Sequence, residues 1–215
     1  LYVYWHIFTY FAPYKGTTMH KKLLVTAYFV IAALLQTLAG NFPLSFFAFP
    51  LNVIVAVIWI YSLWRLYKEG NKLPLTRFLL SSRTSVLSIL LLIGGSLVIG
   101  LFPQLSEAEA DSIPGVLASL GCYNFMTSWI FIAILFLLLS NLAMVIIHAF
   151  YHCVPAKKRF ILNHLGLWLA LFAGFFGSSD VQTLRIPLYT GQPGREAYSM
   201  DGKAYYCLLY TSPSP

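Results

Sequence analysis

Apolar residues run along this chain in long unbroken blocks, with polar residues confined to short segments between them. Residues 23–39, 44–64, 84–102, 126–152 and 161–178 contain no Asp, Glu, Lys or Arg. A membrane-spanning helix needs about 20 predominantly apolar residues. The pattern therefore predicts an all-α integral membrane helical bundle of about five transmembrane helices over residues 19–179. The first block is the shortest and follows Lys21-Lys22, which is also how a signal peptide begins. Gly40-Asn41-Phe42-Pro43 turns straight into the second block, so a retained helix is expected. In the second block Pro50 falls near the start, where a missing amide proton is tolerated. Trp59, Tyr61 and Trp64 are expected to form an aromatic belt at its end. Gly94-Gly95 marks a close helix approach in the third block, and Pro103 ends that block. The fourth carries Asn141 in its middle and stops at Cys153-Val154-Pro155.

After Asp180 the pattern changes. Thr183 to Tyr189 alternates as a strand does, Thr190 to Gly194 reads as a turn, and Asp201-Gly202 reads as a hairpin turn. Residues 180–206 are expected to be the truncated start of a β-rich extracytoplasmic domain. Residues 207–215, including Cys207, match one reading frame of a transposon-type sequencing adapter. They are expected to be adapter read-through, with the natural protein continuing differently past Tyr206. Residues 1–18 form an N-terminal extension of uncertain origin, and Met19 resembles a natural start.

Charge gives the expected orientation. Residues 15–22, 65–83 and 157–159 hold eleven of the fourteen cations, and the connections at 40–43 and 103–125 hold none. By the positive-inside rule the N-terminus is cytoplasmic and the tail lies outside. Cations clustered between apolar blocks argue against nucleic acid as a partner; the partner they imply is the lipid bilayer. Only 10% of residues are charged, against about 25% in soluble domains. The three cysteines show neither a paired disulfide spacing nor a zinc motif. No Ser-His-Asp set or phosphate-binding loop points to a hydrolase.

The candidate chemistry is histidine. His164 lies five residues after Arg159, about 7–8 Å into a helix, in the inner leaflet. Imidazole is a neutral ligand for iron, copper or zinc. A haem in a bilayer needs an axial His, apolar walls and cations for its propionates. Phe160, Leu165, Leu167 and Trp168 supply the apolar types, and Lys157 and Arg159 the cationic ones. From the residues alone two readings stay open: a ligand, or an interfacial histidine bonded to a carbonyl or water. His148 and His152 lie one turn apart on one helix face and are alternative ligands. Either could pair with His164 around a b-type haem in a di-histidine electron-transfer protein, or join His164 and Cys153 in a metal site.

The chain resembles the membrane part of the ResB/CcsB family of cytochrome c biogenesis proteins (system II) in its Bacteroidetes form. The resemblance rests on Gly40-Asn41-Phe42-Pro43-Leu44, Arg77 to Ser82, Gly100-Leu101-Phe102-Pro103-Gln104, and the segment Asn163 to Trp168 continuing to Gly177–Leu184. It implies a bacterial inner-membrane protein whose C-terminal domain is periplasmic. It implies haem b, held non-covalently in transit, carried outward and presented to the CxxCH motif of apocytochrome c. His164-Leu165-Gly166 matches the family's His-x-Gly, whose histidine is one axial ligand of an inner-leaflet haem. The other ligand comes from a CcsA/ResC-like partner, separate or fused. That partner's Trp-rich motif is absent here, so the chain is not expected to act alone as an enzyme; it would be one part of a haem-lyase complex. Family members of this type commonly have fewer helices before the outer domain. The competing reading is a cofactor-free structural or assembly membrane protein.

Overall fold

A computed structural model describes residues 18–70, 73–105, 109–110, 112–152, 158–180, 184–185, 196–199 and 204–206. Six helices carry the fold: α1 (Thr18–Ala39), α2 (Leu51–Glu69), the short α3 (Pro74–Leu79), α4 (Ser82–Leu101), α5 (Trp129–Tyr151) and α6 (Lys158–Phe176). Helices α2, α4, α5 and α6 are long and apolar enough to cross a membrane; the apolar part of α1, Val25–Ala39, is shorter.

The centre of the bundle is α5. It is apolar on every side, and it packs against α1, α2, α3, α4 and α6. In its most apolar stretch 61% of residues are buried, against 17% in each of the other three candidate spans. Those three bury one narrow face. On α4 the buried residues are Thr84, Ser88 and Gly95, while Val86, Ile89, Leu90, Ile93 and Leu97 are exposed. Small and polar residues face inward and large apolar ones face outward. That inverts the arrangement of a water-soluble helix and is the one expected in lipid, where exposing Leu costs nothing and small residues let elements approach closely. Four such helices are consistent with a multi-pass membrane protein.

The element bounds differ from the sequence expectation in ways that have local causes. The second block was expected to be helical from Leu44 to Trp64. Instead Leu44–Phe47 forms a 3-10 turn, and α2 begins only after Pro50. Proline disfavours the helical conformation for the residue before it, so Phe49 cannot continue a helix. At its other end α2 runs past Arg65 to Glu69. These two form an ion pair one turn apart on an exposed surface, so the charges extend the helix rather than end it. What reads as a cationic loop therefore holds the end of α2 and all of α3. Trp59 is accordingly mid-helix and not part of a belt. Its ring stacks on Trp168 and Phe172 and meets Phe136 edge-on. Helix α5 starts at Trp129 rather than Met126, because the Ser128 hydroxyl accepts from the Phe131 amide as a helix cap. Helix α6 spans 158–176 rather than 161–178 and passes into a 3-10 turn at Ser178–Asp180. At Gly94-Gly95 only Gly95 is closely packed. A Cβ there would sit 3.3 Å from the Phe125 ring and 3.4 Å from the Phe131 ring, so the small residue admits aromatic rings.

Buried side-chain polar groups close the gaps between helices. Gln36 on α1 accepts from the Trp129 amide and donates to Asn41. Asn52 on α2 donates to the Phe176 carbonyl at the end of α6 and to Asp180, whose other oxygen accepts from the Phe49 amide. Asn141, in the middle of α5, donates to the Leu79 carbonyl at the end of α3. Thr84 donates to the Phe78 carbonyl, and Trp168 to the Leu139 carbonyl.

Beyond the bundle three short strands, β1 (Leu184–Arg185), β2 (Glu196–Ser199) and β3 (Ala204–Tyr206), form an antiparallel sheet in chain order. The β2–β3 pair, in the register Ala197 to Tyr205, flanks the Asp201-Gly202 dipeptide read as a hairpin turn. The turn itself, Cys207 and the rest of 207–215, and residues 1–17 lie outside the described residues.

Two measurements test this packing. Replacing Asn141 by Ala leaves the Leu79 carbonyl buried without its donor, which costs about 1–3 kcal/mol in a protein interior and nearer ~0.6 kcal/mol in membrane bundles. We expect Asn141→Ala to lower the unfolding midpoint in detergent and to raise amide exchange at 74–81 more than within α5. Uniform exchange across both helices would contradict the anchoring role. Cys122 is buried at the start of the 3-10 segment before α5, and burial raises its thiol pKa above the ordinary value. The reactive thiolate is then scarcer at pH 7 than for a free cysteine. With Cys153 and Cys207 replaced by Ser, maleimide labelling of the folded protein should be at least ~10-fold slower than in denaturant and should accelerate as pH rises.

Candidate functional site

Helix α6 turns one stripe toward the bundle: Ile161, Leu165, Trp168, Phe172, Phe175 and Phe176. These recur at intervals of three and four residues, as a single helix face requires. His164 is the residue before Leu165, so it stands on the flank of that stripe, half-buried. Its Nδ1 donates to the Phe160 carbonyl at 2.9 Å, and the two rings lie 3.9 Å apart, centroid to centroid. A carbonyl can only accept. The bond therefore puts the ring proton on Nδ1 and leaves the lone pair on Nε2. Among the described cations, Lys158 and Arg159 are exposed at the start of the same helix. Lys157 and Cys153 lie outside the described residues. A Cβ at Gly166, two residues on and on the far side of α6 from the His164 side chain, would meet nothing within 4 Å.

His148 and His152 sit at the other side of the α5–α6 junction. Their rings are 4.5 Å apart. The Tyr67 hydroxyl of α2 is hydrogen-bonded to His148 Nδ1 at 3.1 Å. Tyr67 stacks on Tyr151, the Tyr151 hydroxyl accepts from Trp64 Nε1, and the Lys68 ammonium lies 4.1 Å over the Trp64 ring. The bond from Trp168 to Leu139 sets the register of the two antiparallel helices and puts His164 level with Ala143. His148 is five residues further along α5, about 7.5 Å along the axis. The structure brings the His148 and His152 rings together and sets Tyr67 against His148. Tyr67 was not legible as a partner, because the sequence pattern assigns it to a charged loop rather than to the last turns of α2.

A separate cavity of about 320 Å³ lies between α1, α2, α3 and α5, lined by Val25, Tyr28, Leu63, Leu75, Phe78 and Leu137 among others. It is apolar and has no histidine in its wall. No sequence signal marks it, since its walls come from four separate elements.

A haem bound through a single protein histidine needs an imidazole of fixed tautomer with a free Nε2, and apolar surroundings. His164 meets the first requirement through Phe160, and Leu165, Leu167 and Trp168 on the same helix meet the second. Among the described residues no group of three or more His, Cys, Asp or Glu side chains is arranged to hold a metal ion. These residues would offer such a group one imidazole nitrogen. In comparisons with known families, curated proteins and solved structures, the chain matches no family model, no curated protein and no solved structure.

Proposed function

We propose that this chain is a haem-handling membrane subunit of ResB/CcsB type, in which His164 supplies one axial ligand to a haem b in transit. The observation that carries the reading is the His164 Nδ1–Phe160 carbonyl bond. It orients the ring and directs the Nε2 lone pair away from its own backbone, which is what a ligating histidine's outer hydrogen bond does. Bound there, haem would supply the iron-bearing macrocycle that is later attached to apocytochrome c. The Phe160 ring limits rotation of the imidazole and excludes water from one of its faces. Arg159, the residue before Phe160, offers an exposed cation for a propionate, and Lys157 is the second candidate. The partition of cations between segments supports a cytoplasmic N-terminus, with His164 in the inner leaflet of a bacterial inner membrane. The three-stranded sheet supports a β-rich domain on the other side, reached directly from α6.

His148 and His152 are engaged with each other and with Tyr67, which favours a second ligand from a CcsA/ResC-like partner over an internal histidine pair. Attachment chemistry would then belong to the complex rather than to this chain alone. The competing reading is a cofactor-free assembly protein, with which the same carbonyl bond is also compatible.

The test is co-purification with the partner, and without it, followed by a haem spectrum. We expect a Soret band in the wild-type complex and its loss, or a shift with at least ~10-fold weaker haem retention, in His164→Ala. An unchanged band in that variant removes the ligand assignment, and absence of haem from every preparation selects the cofactor-free reading. Arg159→Gln should weaken retention by no more than about 5-fold, the scale of an exposed ion pair. A larger loss than in His164→Ala would move the principal contact to the cation.

A further inference from the structure

We propose that the cavity between α1, α2, α3 and α5 holds one acyl chain of an anionic phospholipid, whose headgroup lies at the cation-rich segment 65–83. The cavity has a volume of about 320 Å³, and Val25, Tyr28, Leu75, Phe78, Leu137 and Ser140 are in its wall. An apolar cavity of about 150 Å³ stays dry and admits a molecule such as benzene. This one is about twice that size, room for part of a hydrocarbon chain. The Tyr28 hydroxyl donates to the Ala133 carbonyl at 2.9 Å, so its polar end is already engaged with α5. On the α5 wall Ser140 follows Phe136 and Leu137, and its small side chain leaves space that a larger residue would fill. Leu75 lines the cavity and is itself 40% exposed, so the cavity opens to the surroundings of the bundle beside α3.

The second observation is the charge around that opening. Helix α3, which carries Leu75, falls inside the segment 65–83, where five cations stand against one acid, Glu69. Glu69 is paired with Arg65, so the acid is neutralised within its own helix and the segment stays cationic. Basic segments at the end of membrane helices attract acidic lipid headgroups, by about 5-fold in affinity for each Lys or Arg near the surface. An anionic phospholipid matches both features at once. Its tail is as apolar as the leucines of the wall, and its phosphate meets the cations. A neutral lipid would fill the same space without selection. A polypeptide segment would bring backbone amides and carbonyls into an apolar wall that cannot pair them.

The experiment uses the full chain in detergent, supplied with phosphatidylglycerol or with phosphatidylcholine of the same chains, each carrying a photoactivatable diazirine on one acyl chain. Lipid retained after washing is counted by native mass spectrometry, and the cross-linked residues are mapped. We expect one phosphatidylglycerol per protein chain, retained at least ~5-fold better than phosphatidylcholine, with cross-links on the cavity wall around Leu75, Phe78 and Leu137. Ser140→Phe fills the cavity and should lower both retention and cross-linking by about 5-fold or more. Leu75→Glu places an acid at the opening and should weaken phosphatidylglycerol more than phosphatidylcholine. Because Leu75 is exposed, this variant is expected to keep the wild-type helix content, and it decides the question if Ser140→Phe does not fold. Equal retention of the two lipids overturns the proposal. So do cross-links confined to the exposed residues of α4, such as Val86 and Leu97, that Ser140→Phe leaves unchanged.

Discussion

In a hydrocarbon environment a backbone N–H or C=O without a partner costs several kcal/mol, since no water is present to replace it. The rest of this structure depends on that constraint. Helices satisfy their own backbone groups except at their ends. At several of those ends a side chain from another helix meets the exposed backbone. Gln36 meets the first amide of α5, Asn52 the last carbonyl of α6, Asn141 the last carbonyl of α3, and Thr84 the carbonyl of Phe78. These are four of the seven buried polar side chains among the described residues. They are distributed as fasteners between elements rather than gathered into one polar site. Among the described residues one buried polar atom, Trp129 Nε1, has no protein partner.

The same constraint explains why α5 is central. A helix apolar on all sides and carrying a single amide, Asn141, has no polar face to hide and can be surrounded. The outer helices each turn small or polar residues inward and leave aliphatic ones at the periphery. Packing between α2, α5 and α6 is then left to aromatic rings. Trp59, Phe136, Trp168, Phe172 and Phe176 form a continuous stack, with Phe47 closing it from the 3-10 turn before α2. Rings of this size supply contact area that a Leu-only interface would need more residues to match.

The two histidine groups sit on opposite sides of one helix junction and differ in how they are held. His164 is oriented by its own helix, through a bond four residues back along the chain. His148 is oriented by another helix, through Tyr67. The first arrangement survives any movement of α6 as a body, and suits a ligand carried on a surface that meets a partner. The second depends on α2 and α5 keeping their register.

By itself the sequence determined the membrane character, the number of apolar blocks and the residues with metal-binding chemistry. Each of these is a matter of local composition: blocks of 17 to 27 uncharged residues and five histidines are visible without any contact map. His164 was legible for the same reason, as a polar residue one turn inside an apolar block. The ends of the helices were less legible. Pro50 and Ser128 act through backbone geometry on their immediate neighbours, and Arg65 remains helical because Glu69 is one turn away. Only the tertiary structure decided which helix is central and that Trp59 is inside. It also decided that Asn141 closes α3, that Gly95 receives aromatic rings, and that Tyr67 holds His148 while His164 stands apart. These are contacts between residues far apart in the chain, up to 135 positions in the case of Leu44 and Ser179. Apolar blocks of similar composition can exchange places in a bundle without changing their patterns, so the arrangement is fixed by which buried amide finds which helix end.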